Sequence, residues 1–159
     1  QLDAATREAW AFFTSGGYYH FFHRDRDFDV FGSTAWRTAI RRLAVVREVA
    51  ESVRFLEMSP VDAAGSEYDA LVQQGPADGW QVLAHPGAEY VVYFWGSQSP
   101  ASVLLDLPAG SYRFSWRDAR DGAVRASGSV DGPNGVIAAP SLADWSGSAG
   151  VTLVIRRSP

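Results

Sequence analysis

The sequence predicts an α+β chain, in which a helix, a strand and a long helix over residues 1–60 precede an antiparallel β-sandwich over residues 61–159. Two observations predict it. Apolar residues recur at helical spacing before Pro60 and at a spacing of two beyond Ser66, and turn signals rich in Gly, Pro and Asp divide the second region at regular intervals.

In residues 3–14, Thr6, Ala9, Trp10 and Phe13 fall on one face of a helix. Asp3 is placed to cap its start, and Gly16 and Gly17 to stop its end. The next run, "YYHFFH", is too short and too aromatic for a helix bounded by glycines and reads as a buried strand. From Ser33 or Thr34 the helical period returns. Trp36, Ala39, Ile40, Leu43, Val46, Ala50 and Val53 form the apolar stripe, while Arg37, Arg41, Glu48 and Glu51 fall mostly elsewhere. Pro60, after "FLEMS", ends this region.

Beyond it, "SYRFSWR" sends Tyr112, Phe114 and Trp116 to one side and Ser111, Arg113, Ser115 and Arg117 to the other, the alternation of a half-buried antiparallel strand. "EYVVYFW" is apolar on both faces and suits a central strand. "LPAGS", "RDGA", "DGPNG" and "SGSAG" are the turns between runs. Seven or eight short strands at that spacing predict a sandwich or a small barrel, able to close its own core. The first sixty residues cannot do the same, because their aromatic strand needs sheet neighbours. Helix, strand, long helix is a slice of an alternating α/β fold.

Composition narrows the function. All fourteen basic residues are arginines, they are scattered, and the net charge is −4, which disfavours nucleic acid as a partner. No apolar run approaches the ~18 residues of a membrane-spanning helix. Without cysteine there is no disulfide and no thiolate chemistry. The start at Gln1, with no Met and no leader, reads as a processed or truncated product.

The richest stretch is "SGGYYHFFHRDRDFD". Its three alternating aspartates invite a calcium reading, but counting from Asp25 the sixth and twelfth positions of an EF-hand loop hold Val30 and Trp36 in place of Gly and Glu. Arg24 and Arg26 make it a solvated, charge-paired loop instead. His20 and His23 point to opposite faces of a regular strand and do not chelate one ion, although a single histidine at a strand end can hydrogen-bond a polar substrate. His85, before Pro86, reads as structural. For paired-carboxylate chemistry, Glu8, Glu48, Glu51, Glu57 and Glu89 all fall on helix exteriors or surface turns. No nucleophile elbow or phosphate loop is present, so no catalytic residue, metal site or cofactor is assigned. Of Trp80, Trp95, Trp116 and Trp145, Trp116 should be core, and Trp145 is the one placed to be an exposed sugar platform.

"REAWAFFTSGGYYHF" followed by "AIRRLAVVREVAESVRFLEMSPVD" resembles the last part of the (β/α)8 barrel of apiosidase-like glycoside hydrolases. "HPGAEYVVYFWGS", "VLLDLPAGSYRFSWRDARDGAV" and "VTLVIR" resemble the small C-terminal β-domain of those enzymes, classed as collagen-binding. The resemblance implies that residues 1–60 close a catalytic barrel and that residues 61–159 are its accessory sandwich, packed against it within one molecule. Related retaining enzymes carry the acid/base after the fourth barrel strand and the nucleophile at the end of the seventh. Both would precede Gln1, leaving this chain inactive alone.

Barrel ligands gather at the C-terminal ends of strands, so Tyr19, His20 and His23 are the expected substrate-binding residues for an oligo- or polysaccharide. The insertion from Arg24 to Asp29 has no family counterpart. A secreted or periplasmic bacterial location goes with the resemblance. The alternative is a stand-alone carbohydrate- or matrix-binding sandwich.

Overall fold

A computed structural model of the chain describes residues 2–17, 32–63, 72–74, 79–95, 102–133, 135–139 and 149–159. The helical spacing of the first region produces α1 (Leu2–Thr14) and α2 (Thr34–Ser52). Helix α1 begins one residue before the expected cap, so Asp3 lies in the first turn, where its carboxylate favours the helix dipole and accepts from Arg42 Nη1 at 2.5 Å. Its end is the glycine stop that the sequence predicts. Gly17 N donates to Phe12 O at 2.9 Å and Gly16 N to Phe13 O at 3.0 Å, the paired bonds of a Schellman turn, with Gly16 at φ 75°. Ser33 caps α2, its Oγ accepting from Trp36 N at 3.1 Å.

The buried face of α2 is rotated from the expected stripe. Ala39, Val45, Val46 and Val49 are buried, whereas Ile40 is 39% exposed. A stripe counted from α2 alone misses this, because the helix touches two neighbours at once: α1 and the β-region around Gly122, which faces Val45.

A short 3-10 turn (Phe55–Glu57) leads through buried Met58 straight into β1 (Ser59–Ala63). Pro60 therefore stands inside a strand, opposite Leu83. A proline is tolerated there because, among the described residues, β1 pairs only with β3 (Trp80–His85). The division at 60/61 falls within this strand.

The remaining strands are β2 (Val72–Gln74), β4 (Glu89–Phe94), β5 (Ser102–Leu105), β6 (Gly110–Asp118), β7 (Val124–Gly132), β8 (Gly135–Ala138) and β9 (Val151–Arg157). They form a six-stranded sheet of order β1-β3-β4-β9-β6-β7 and a three-stranded sheet β2-β5-β8, antiparallel throughout among the described residues. The expected central strand is β4, paired on both sides, and β6 alternates as expected, with Tyr112 and Trp116 fully buried.

The period of two gives the large sheet two working faces. Tyr90, Val92, Phe94, Tyr112, Trp116, Leu153 and Ile155 pack with Val72, Val103, Leu105 and Ile137 of the small sheet. Leu83, Val91, Tyr93 and Val154 point the other way and pack with Ala9, Trp10 and Phe13 of α1 and Val45, Val46 and Val49 of α2. The result is three layers: a helix pair, a six-stranded sheet and a three-stranded sheet.

Candidate functional site

The three expected substrate contacts, Tyr19, His20 and His23, lie outside the described residues, as do the aspartates of the Arg24–Asp29 loop and Trp145. What the structure gives is the frame around that segment. It leaves α1 at Gly16, where an added Cβ would meet Pro60 Cδ at 3.3 Å, and it re-enters at Gly32 (φ 84°), one residue before the cap of α2. Both ends therefore hang on the helix pair, on the side of the large sheet away from the sandwich core.

The joint between helices and sheet is built from specific bonds as well as apolar area. Trp10 is fully buried, stacks on Tyr93 with ring centroids 5.8 Å apart, and donates from Nε1 to Ala119 O at 2.9 Å. Tyr93 donates its hydroxyl to Ala149 O at 2.7 Å, and burial pushes that hydroxyl far above the ordinary phenol range. Thr14 Oγ1 adds a 3.0 Å bond to Gln81 Oε1 of β3.

Next to Ala119, in the turn between β6 and β7, stands Asp118, with only 5% of its side chain exposed. Burial raises its pKa, but the bonds from Arg120 and the charges of Arg120 and Arg125 outweigh that and hold the carboxyl below its usual range. Oδ1 accepts from Arg120 N at 2.9 Å and Nε at 3.0 Å, and Oδ2 accepts from Arg120 Nη2 at 2.7 Å and Arg125 Nη2 at 3.4 Å. Arg125 also reaches Asp121 at 3.3 Å. Arg125 thus gathers two carboxylates, yet a carboxylate tied to two arginines and held ionised cannot donate a proton at neutral pH. The role of Asp118 is to fix the turn that Trp10 grips. Sequence reasoning missed it, and the signal that could have found it was the dense alternation of charge in "RDARDGAVR".

The glutamates considered as acid/base candidates stand where the sequence put them. Glu8, Glu48 and Glu51 are exposed on the helices, and Glu51 accepts from Arg47. Glu89 opens β4 and accepts from Arg54 N at 2.7 Å. Glu57 lies in the 3-10 turn, 3.2 Å from Nδ1 of His85 in the hairpin between β3 and β4, without a hydrogen bond between them. Among the described residues, no group of three or more His, Cys, Asp or Glu is placed to hold a metal ion. Trp116 is core as expected, donating from Nε1 to Ala138 O at 3.1 Å, and Trp80 and Trp95 are half-buried. Among the described residues of the β-region, then, no tryptophan forms an exposed platform.

No family model and no curated protein matches this chain. Solved structures do. A chain described as a glycoside hydrolase superposes with a TM-score of 0.68 at 15% identity, covering 99% of this chain and 37% of its own. A glycoside hydrolase family 5 protein from Bacteroides vulgatus superposes with a TM-score of 0.70 at 15% identity, covering 99% of this chain and 36% of its own. The fold is thus shared with parts of glycoside hydrolases, and this chain spans little more than a third of their length.

Proposed function

We propose that this chain is the C-terminal part of a glycoside hydrolase of the apiosidase-like type, in which α1, the aromatic run and α2 close a (β/α)8 barrel and the sandwich braces it. One observation carries the reading: the helix pair and both sheets together superpose on about a third of larger glycoside hydrolases. The packing supports the bracing role. The sheet face that a free-standing module would offer to a ligand is instead filled in part by Trp10, Phe13 and Val49.

In this reading the catalytic carboxylates belong to the upstream part of the barrel. Tyr19, His20 and His23 form one wall of its sugar site and contact the substrate's hydroxyls. They bind and orient without taking part in bond cleavage.

The test is to extend the chain upstream by the ~250 residues of a barrel and assay release of reducing sugar from a panel of polysaccharides. The extended protein should hydrolyse at least one glycan, and the chain alone none. Hydrolysis by the chain alone, or an extended protein without activity on any glycan, would sink the proposal. In the active protein, His20→Ala should raise KM with a smaller effect on kcat.

A further inference from the structure

The helices cover the large sheet over β3, β4 and β9 and leave its β6 and β7 side open. Across one row of that face stand Glu89, Arg156, Arg113 and Ser129, and across the next Val91, Val154, Ser115 and Ser127. Residues directly opposite share a face, so Arg113 and Arg156 set two guanidiniums side by side, which is unfavourable without a counter-charge.

Nearby carboxylates are otherwise engaged. Glu89 and Glu57 are both held by Arg54. Arg156 spends Nη2 on Ser52 O and Ser52 Oγ, yet its Nε is buried with no hydrogen-bond partner among the described residues. Arg113 is exposed and makes no hydrogen bond or ion pair among the described residues. Both arginines line an open groove of about 310 Å³ with Phe114, Ser115, Val154, Arg157 and Pro159, and among the described residues no acidic side chain lines it.

We infer that this groove binds a carboxylate-bearing sugar chain, an oligouronide. One carboxylate would lie against the guanidiniums of Arg113 and Arg156, and sugar hydroxyls would meet Ser115, Ser127 and Ser129. An anion placed there offsets the like-charge repulsion, and guanidinium is the group best shaped to hold a carboxylate. Ser115 Oγ already accepts from Arg117 Nε at 3.5 Å, which leaves its proton to donate. Ser115, Ser127 and Ser129 set a row of hydroxyls beside the arginines, which suits a partner rich in hydroxyls and favours a sugar over an acidic peptide. The sugar half of this inference rests on the hydrolase reading, and the charge half rests on the two arginines.

The experiment is calorimetric titration of the 159-residue chain at low salt with oligogalacturonate, a neutral cello-oligosaccharide and a short poly-glutamate. Oligogalacturonate should bind, the neutral sugar should not, and Arg113→Gln should weaken binding about tenfold, the loss of one charge-assisted bond, without lowering the thermal midpoint, since it also removes the like-charge neighbour of Arg156. Equal or tighter binding of poly-glutamate, unchanged affinity in Arg113→Gln, or no binding of oligogalacturonate each overturns the inference. If that last failure occurs while the extended protein still cleaves a polysaccharide, the groove falls and the hydrolase reading stands. Oligouronide binding beside an extended protein without activity keeps the groove and removes the hydrolase reading.

Discussion

The two faces of the six-stranded sheet hold their partners by different means. On the sandwich side, sixteen buried residues among those described form one apolar cluster, edged by a bond such as that from Trp116 to Ala138 O. On the helix side, burial is shared with directed contacts: Trp10 to Ala119 O, Thr14 to Gln81, and Arg156 to Ser52 Oγ. A greasy face tolerates small shifts of its partner, whereas a bonded one fixes position. The sandwich side gives the chain its core, and the helix side sets where α1 and α2 stand.

That contrast can be broken from either side. Trp116→Ala should be the most damaging change, costing about 3–5 kcal/mol because it empties the centre of the sandwich, and chemical denaturation should show the whole chain weakened. Trp10→Ala should cost about 3 kcal/mol, but hydrogen exchange should show the loss concentrated in α1 and α2 while β6 and β9 stay protected. Uniform loss of protection would mean that the two faces are one cooperative unit.

Asp118 sharpens the comparison through pH. Its folded pKa is lowered, so its stabilisation is present above the unfolded carboxylate value of about 3.9 and is lost as pH falls through the folded one. Thermal midpoints from pH 7 to 2 should fall in acid less steeply for Asp118→Asn than for the parent, from a lower plateau. Parallel curves would mean that another carboxylate dominates. The smallest effect is expected at Gly16→Ala, about 1 kcal/mol from the left-handed backbone with the close approach to Pro60 added to it, read as a modest drop in midpoint.

Much of this frame was legible in the residues. Gly16 and Ser33 announce the helix ends because capping chemistry is local, and Tyr112 to Trp116 announce a half-buried strand because its period needs only neighbours in sequence. What escaped depends on distant partners. Val45 and Val49 are buried by elements that no helical wheel contains, and β1 is a strand only because β3 lies beside it. Asp118 escaped because its burial does not show in the residues around it, although the arginines two and seven positions on do. Tyr19, His20 and His23 were marked only through the resemblance to a barrel strand, a cue that names a region without giving its geometry.

The place of β9 bears on biosynthesis. It runs between β4 and β6, so among the described strands it alone joins the ribbon β1-β3-β4 to the hairpin β6-β7. A nascent chain that has not yet delivered Val151–Arg157 carries two unjoined ribbons, each with a bare edge, that of β4 largely apolar, able to pair with a neighbour on the same messenger. The ribosome must hand over this strand before the sheet can exist, which makes slow translation near its codons a hazard and makes β9 the part of the chain that a chaperone would have to stand in for.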